Sequence, residues 1–176
     1  MQHINNIEKI IPDAYHGTTN AFADIIMGES KFGASTGDQQ YLGDGAYFFE
    51  SSLSSAKWWG RKTARKHSLT GFSAIKAVLN LGRCLDFNNG EHTKFIADVR
   101  NQLAVRGVNN INDAVVINFI GEQYGIDSVR ACHGYNRSNY IFSGSRFKIN
   151  VYIMICMRNL NLISGIELAY RRKDNE

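Results

Sequence analysis

Short apolar segments with the pattern of β-strands are interleaved in this chain with longer segments of helical periodicity. They do not follow the strict strand–helix–strand alternation that builds a doubly wound parallel sheet. Strands are predicted at 14–16, 46–50, 73–81, 128–132, 151–157 and 162–168. Helices are predicted to begin near Asn20 and near Ser51 or Ser52, and to cover 91–105 and 112–124. This irregular mixture predicts an α+β fold.

Length and composition indicate one folded domain. The 176 residues are 44% hydrophobic and 20% charged, with a single proline. This is the profile of a globular protein large enough to bury a core. We therefore predict one domain over 1–176, with a core at about 13–168 and a short polar tail at 170–176.

The sequence also predicts a cytoplasmic protein without a membrane partner. No apolar run is long enough to span a bilayer, and residues 1–12 lack the basic and apolar regions of a signal peptide. Three cysteines without metal-ligand spacing are expected to be reduced and buried: Cys84, Cys132 and Cys156. The net charge of +4 and the pI near 9.0 permit a polyanionic partner without requiring one.

The triplet His16-Gly17-Thr18 begins at the last residue of the first predicted strand. Such a triplet is common in loops, so alone it does not identify a site. A helix capped by Asn20 is expected next, with one apolar face formed by Phe22, Ile25 and Ile26.

A second notable segment is YLGDGAYFFE, at 41–50. Two glycines flank Asp44, and an aromatic strand begins with Tyr47 and Phe48. Glycine allows the backbone to approach a ligand closely, and an aromatic residue beyond it can line the cleft. The alternative is a Gly-Asp-Gly turn that leads into a buried strand.

The third notable segment is the helix predicted over 51–67. Its apolar face is formed by Leu53, Ala56, Gly60 and Ala64. Trp58 points nearly the opposite way, so it is expected to line a site or to pack against a loop. Near it lie four basic residues that form either a solvated helix face or a nucleic-acid surface: Arg61, Lys62, Arg65 and Lys66.

In this order, these motifs resemble those of the ADP-ribosyltransferase superfamily, in particular the poly(ADP-ribose) polymerase-like branch with a His-Tyr-acid triad. Within it, the chain is most similar to bacterial ADP-ribosyltransferase toxins and defence proteins. The resemblance covers about 15–166. It is carried by the segments at 16–18, 42–49, 81–86, 127–130 and 157–159.

The resemblance implies two packed mixed or antiparallel sheets with flanking helices around an NAD cleft. It gives His16 the role of binding ribose hydroxyls, and the backbone of Gly17, beside Thr18, that of pairing with the nicotinamide amide. Tyr47 and Trp58 would enclose the nicotinamide ring. The implied NAD site is completed by Gly43, Asp44, Gly45, Phe48 and Ser55.

The third triad position departs from the family pattern. Relatives carry Glu or Gln where this chain has Met154, and histidine where it has Tyr152. Methionine is only a weak hydrogen-bond acceptor. Three explanations are compatible with a special role for this position: an inactivating change, a polar contact supplied by another residue (Asp44, Glu50 or Glu122), or a non-catalytic relative. The alternative is an ordinary core methionine in an apolar strand.

The resemblance implies a mono-ADP-ribosyltransferase that uses NAD as substrate and needs no metal. We expect a cytoplasmic toxin or antiviral defence effector that modifies a macromolecule, with RNA or another single-stranded nucleic acid favoured over protein. The alternative is an inactive domain that binds NAD, nucleic acid or an antitoxin protein.

The remaining polar candidates have structural interpretations. Asp86 and Arg130 are expected to form a salt bridge between neighbouring strands, although Arg130 is also suited to an NAD phosphate. The histidines at positions 67, 92 and 133 are too far apart in sequence to suggest a metal site.

Overall fold

The computed structural model describes residues 9–37, 40–134, 140–143, 145–146 and 151–173. In this part of the chain four α-helices and one 3-10 helix (Leu160–Leu162) accompany seven strands. The strands are β1 (Ile10–Thr19), β2 (Ala46–Glu50), β3 (Phe72–Asn80), β4 (Cys84–Asp86), β5 (Ser128–Gly134), β6 (Val151–Met157) and β7 (Ile163–Arg172). The helices are α1 (Asn20–Glu29), α2 (Leu53–Lys66), α3 (Gly90–Val105) and α4 (Asp113–Tyr124). The α+β prediction is confirmed.

The seven strands form one mixed sheet in the order β4-β5-β6-β2-β1-β3-β7. Every neighbouring pair is antiparallel except β4 and β5. The expectation of two packed mixed or antiparallel sheets is therefore corrected to one hydrogen-bonded sheet. The reason is that β2 pairs with β6 on one edge and with β1 on the other, and so joins the two halves.

The junction between β1 and β2 is short. Ladder pairs join Ala14 to Glu50 and Tyr15 to Phe49, and no further pair links these strands among the described residues. From His16 onward β1 continues to pair with β3, whereas 46–48 of β2 pair with β6. The sheet therefore splits at His16, and this split positions the candidate site.

A hydrophobic cluster covers each face of the sheet. Successive residues of β2 point to opposite faces, with Phe48 in one cluster and Phe49 in the other. The Phe49 cluster includes buried residues of α2, α3 and α4, and Met154 of β6. The Phe48 cluster includes Ile26 of α1. The site therefore lies between two cores.

Helix α1 differs from its prediction in cap and face. Thr19 is the N-cap, and its hydroxyl accepts a hydrogen bond from the Phe22 N–H at 3.3 Å. Asn20 instead binds neighbouring strands, donating to the Arg172 carbonyl and accepting from the Ser73 hydroxyl. Phe22 and Ile25 are exposed, because the helix faces the sheet through Ala23 and Ile26.

Helix α2 follows its prediction more closely. Ala56, Gly60 and Ala64 are buried, as its periodicity predicts. A Cβ atom on Gly60 would lie 3.0 Å from the Ser73 carbonyl oxygen and 3.2 Å from the Thr18 nitrogen. Because glycine has no side chain, the helix can lie directly on β1 and β3.

The chain end continues the sheet further than predicted. β7 runs to Arg172, past the core limit of 168, and residues 174–176 of the expected tail lie outside the described residues. Residues 1–8 of the amino-terminal segment also lie outside them. Among the described helices, none is both long and apolar enough to cross a membrane.

Candidate functional site

His16 lies where β1 and β2 separate, and a hydrogen bond bridges the gap. Its Nδ1 atom is 2.8 Å from the Tyr47 carbonyl oxygen. A carbonyl only accepts, so Nδ1 carries the proton. Burial lowers the pKa of the ring, although the Tyr47 contact opposes this effect. The ring is therefore neutral at pH 7, and its Nε2 atom can accept a hydrogen bond from a hydroxyl group.

Two aromatic rings also contact the His16 imidazole. The Phe32 ring meets the imidazole edge-on at 5.3 Å between centroids, and the Phe48 ring lies at 5.8 Å. These contacts restrict rotation of the imidazole. The sequence did not single out Phe32, since a phenylalanine in a glycine-rich loop carries no periodic signal.

Gly17 is required by packing. A Cβ atom at this position would lie 1.9 Å from the Ala56 carbonyl oxygen and 2.8 Å from the Gly60 nitrogen. The resemblance assigned Gly17 to the nicotinamide amide. The close packing of α2 on β1 already requires glycine at this position, with or without a ligand. Thr18 beside it is buried.

Tyr47 closes the loop that precedes β2. Its hydroxyl donates to the Gly43 carbonyl at 2.7 Å and accepts from the Leu42 N–H at 3.0 Å. Burial raises the pKa of the phenol, so it stays protonated. The ring belongs to the Phe49 cluster. The tyrosine thus fixes the loop by hydrogen bonds at its tip.

Two residues to which the sequence analysis gave no role, Asn118 and Arg158, hold the Gly-Asp-Gly turn in place. The Asn118 side-chain oxygen accepts from the Asp44 N–H at 2.8 Å and from Arg158 Nη1 at 2.7 Å. The Asp44 carboxylate accepts from the Gly37 N–H. Gly43 has φ +74, and a Cβ there would lie 2.6 Å from the Asn118 oxygen. The turn interpretation therefore has direct structural support.

A Cβ on Gly45 would also clash, at 2.5 Å from the Met157 carbonyl oxygen. Ser55 belongs to the start of α2, where its N–H and hydroxyl both contact the Ser52 hydroxyl. These two residues of the implied NAD site thus have structural roles in the chain itself.

The two tryptophans of α2 point to different surroundings. Trp58 is 38% exposed and lines a groove with basic residues, in agreement with the helical-wheel prediction. Trp59 packs against the cluster that contains Phe49 and Tyr47, with its ring 6.4 Å from that of Phe49. The structure therefore places Trp59, which was not selected, in the same cluster as Tyr47.

Met154 lies in the core of the sheet. It is 5% exposed and pairs with Phe49 on one side and Ala131 on the other. This placement agrees with the core-methionine interpretation. Tyr152, two residues earlier, meets the Phe49 ring edge-on at 5.1 Å, and burial raises the pKa of its phenol.

The three acids suggested as substitutes lie in different places. Glu50 is bound by an arginine, the Asp44 carboxylate accepts from a loop N–H, and Glu122 is exposed on α4. The described contacts therefore do not assemble these acids around His16.

Arg130 forms a buried ion triad. Its guanidinium contacts Glu50 through two nitrogens, at 2.6 and 3.2 Å, and Asp86 through a third at 2.9 Å. The expected bridge to Asp86 is confirmed, and Glu50 is an additional partner. These carboxylates raise the pKa of Arg130, which is therefore positively charged. Because three of its nitrogens are occupied, a phosphate would have to displace a carboxylate.

The cysteines do not all lie in the core. Cys84 and Cys156 are buried, as expected, and burial raises their pKa values to about 11 and about 12. Cys132 is exposed, contrary to the prediction, because the side chains of β5 at positions 132 and 133 are not covered by other described elements.

His92 is buried, and its Nδ1 accepts from the Asp86 N–H. Within the described residues no group of three or more His, Cys, Asp or Glu side chains could hold a metal ion.

Comparison with known proteins gives one relative without an assigned activity. No family model matches the chain. An uncharacterised protein of Methanocaldococcus jannaschii, MJ0359, is 29% identical over 183 residues. The match covers 87% of this chain and 85% of that protein.

Proposed function

We propose that this protein binds NAD at the split between β1 and β2 and transfers ADP-ribose from it to a macromolecule. The observation that carries the proposal is the hydrogen bond from His16 Nδ1 to the Tyr47 carbonyl at 2.8 Å. This bond joins two of the residues that the family resemblance assigns to the site. It also leaves a neutral Nε2 as an acceptor for a ribose hydroxyl.

The reaction breaks the bond between the ribose anomeric carbon and the nicotinamide nitrogen. The bonding electrons leave with nicotinamide, which becomes neutral, and positive charge develops on the sugar. A nucleophilic atom of the acceptor then bonds to the anomeric carbon and loses a proton to solvent. Residues that stabilise the developing charge more than the ground state would accelerate the step.

A second candidate function is binding of NAD without transfer. It is favoured by the burial of Met154, which puts an apolar side chain at the position of the usual acid or amide. In this case the domain would act by holding NAD or by binding a nucleic acid or an antitoxin. The wider role that we propose, a cytoplasmic toxin or antiviral defence effector, requires the first candidate.

Calorimetry with NAD tests the binding step. We expect binding by the wild type and little or none by His16→Ala. His67→Ala is the matched control, because His67 is an exposed histidine at the end of α2. Equal NAD affinity in wild type and His16→Ala would refute the site.

Labelled NAD tests transfer. Cell extract incubated with the protein and labelled NAD should yield labelled macromolecules, identified by mass spectrometry. If NAD binds tightly but no macromolecule in the extract becomes labelled, the second candidate function would be favoured. In that case Met154→Gln and Met154→Glu should restore transfer and arrest growth, provided that circular dichroism shows both variants folded.

A further inference from the structure

A long segment of this chain carries only one sign of charge. Residues 51–85 contain no aspartate or glutamate. Their basic residues are Lys57, Arg61, Lys62, Arg65, Lys66, Lys76 and Arg83. Most of them lie on α2, so the helix presents positive charge without acidic neighbours in its own sequence.

The second half of α2 forms a groove of about 380 Å³. It is lined by Trp58, Arg61, Lys62, Arg65 and Lys66. All five are exposed, and they lie at helical spacings of three to four residues or are adjacent. The groove thus combines one large aromatic ring with four cations.

Other described groups leave these cations available. Lys62 stacks over the Trp58 and Trp59 rings, at 5.2 and 4.8 Å from their centroids, and Arg61 lies over the Phe72 ring at 5.5 Å. Within the described residues, the ion pairs use Lys76, Arg130 and Arg171, and none uses a cation of the groove. Their charge is therefore not neutralised by a carboxylate of the described chain.

We infer that this groove binds a single-stranded nucleic acid. Phosphates would contact the four cations, and an unpaired base would stack on Trp58, the combination by which proteins bind single strands without sequence preference. An acidic protein would contact the cations but would not use the exposed surface of the Trp58 ring for stacking. A duplex keeps its bases stacked inside, so it also could not use the ring.

The inference does not depend on NAD chemistry. The groove lies on the exposed side of α2, whereas Ala56, Gly60 and Ala64 of its buried side pack into the fold. If the proposed transfer reaction occurs, the groove would hold its acceptor. Nucleic-acid binding is nonetheless measurable in the absence of NAD and in the His16→Ala variant.

Fluorescence anisotropy with labelled 12-nucleotide oligouridylate and oligothymidylate tests the inference, and comparison of the two shows whether the groove distinguishes RNA from DNA. We expect binding at 50 mM salt, weakening with a log–log salt slope of about −3 for four phosphate contacts. The charge-reversal pair Lys62→Glu/Arg65→Glu should weaken binding at least about tenfold and make the salt dependence less steep, because fewer phosphates are contacted. Trp58→Ala should weaken it about tenfold with the slope unchanged, and Trp58→Phe much less.

The matched control is Lys94→Glu/Arg100→Glu, which makes the same charge change at exposed positions of α3. It should retain binding. Three results would overturn the inference: no binding to either oligonucleotide, equal loss in the control pair, or binding of a 12-base-pair duplex or polyglutamate as tight as that of the single strands. Circular dichroism of each variant separates loss of binding from loss of folding.

Discussion

A Cβ atom on Gly17 would lie 1.9 Å from the carbonyl oxygen of Ala56, well inside van der Waals contact. Strand β1 and helix α2 therefore approach as closely as they do only because position 17 has no side chain. This contact holds α2, with both tryptophans, at a set distance from the split beside His16.

Gly17→Ala should destabilise the fold strongly. The methyl group meets backbone atoms that cannot rotate away, so we expect a loss of about 3 kcal/mol or more. In a chain of this size that lowers the melting temperature by roughly 6–12 °C. Gly28→Ala is the control: it lies on α1 with nothing within 4 Å of the added Cβ, and should leave stability equal or slightly higher. Equal melting temperatures for the two variants would contradict the packing.

The stability of the protein should depend on pH through His16. Burial lowers its pKa below the ordinary value of 6.5. Below pH 6.5 the unfolded chain takes up a proton that the folded ring resists. The free energy of unfolding therefore decreases as the pH is lowered, by at most about 1.4 kcal/mol per pH unit. Urea denaturation at pH 7.5 and 5.5 should show a larger drop for the wild type than for His16→Asn. Identical drops would contradict a buried neutral ring.

Arg130→Met should be among the most destabilising changes in the chain. It leaves Glu50 and Asp86 facing each other without a cation, at a cost of about 3–5 kcal/mol. Adding Glu50→Gln and Asp86→Asn should recover part of this loss.

Arg130→Lys keeps the charge and should leave NAD affinity unchanged, with Lys94→Arg as the control. An NAD affinity that falls with Arg130→Lys while the melting temperature is kept would instead support the phosphate-contact hypothesis.

One thiol should react readily in the native protein. Cys132 is exposed, whereas Cys84 and Cys156 are buried, with pKa values raised to about 11 and about 12. Iodoacetamide at pH 8 should therefore add one carbamidomethyl group to the folded protein and three after denaturation. Cys132→Ser should remove the native reaction. Rapid labelling of Cys84 or Cys156 in the folded state would contradict their burial.

Local patterns predicted much of the fold. The periodicities at 46–50, 91–105, 112–124 and 151–157 correspond closely to β2, α3, α4 and β6. The buried face of α2 and the Asp86–Arg130 bridge were also predicted correctly. Most of these features depend on spacing within one element, so they can be derived from residues close together in the chain. The bridge between Asp86 and Arg130, 44 positions apart, was instead predicted from complementary charges on two strands.

The NAD site itself stays a prediction, and the sequence could not decide what surrounds its residues. The β1–β2 pairing that completes the single sheet, the close contact of Gly17 with Ala56 and the second partner of Arg130 all join residues 30 or more positions apart. The sequence by itself determined the order of the strands and helices apart from β4, the exposed side of α2 and the absence of acidic residues from 51–85. Only the tertiary structure decided that Met154 lies in the core, that Cys132 is exposed and that His16 reaches the Tyr47 carbonyl. The physical reason is that burial and hydrogen bonding depend on which elements pack together, and periodicity within one segment does not specify its neighbour.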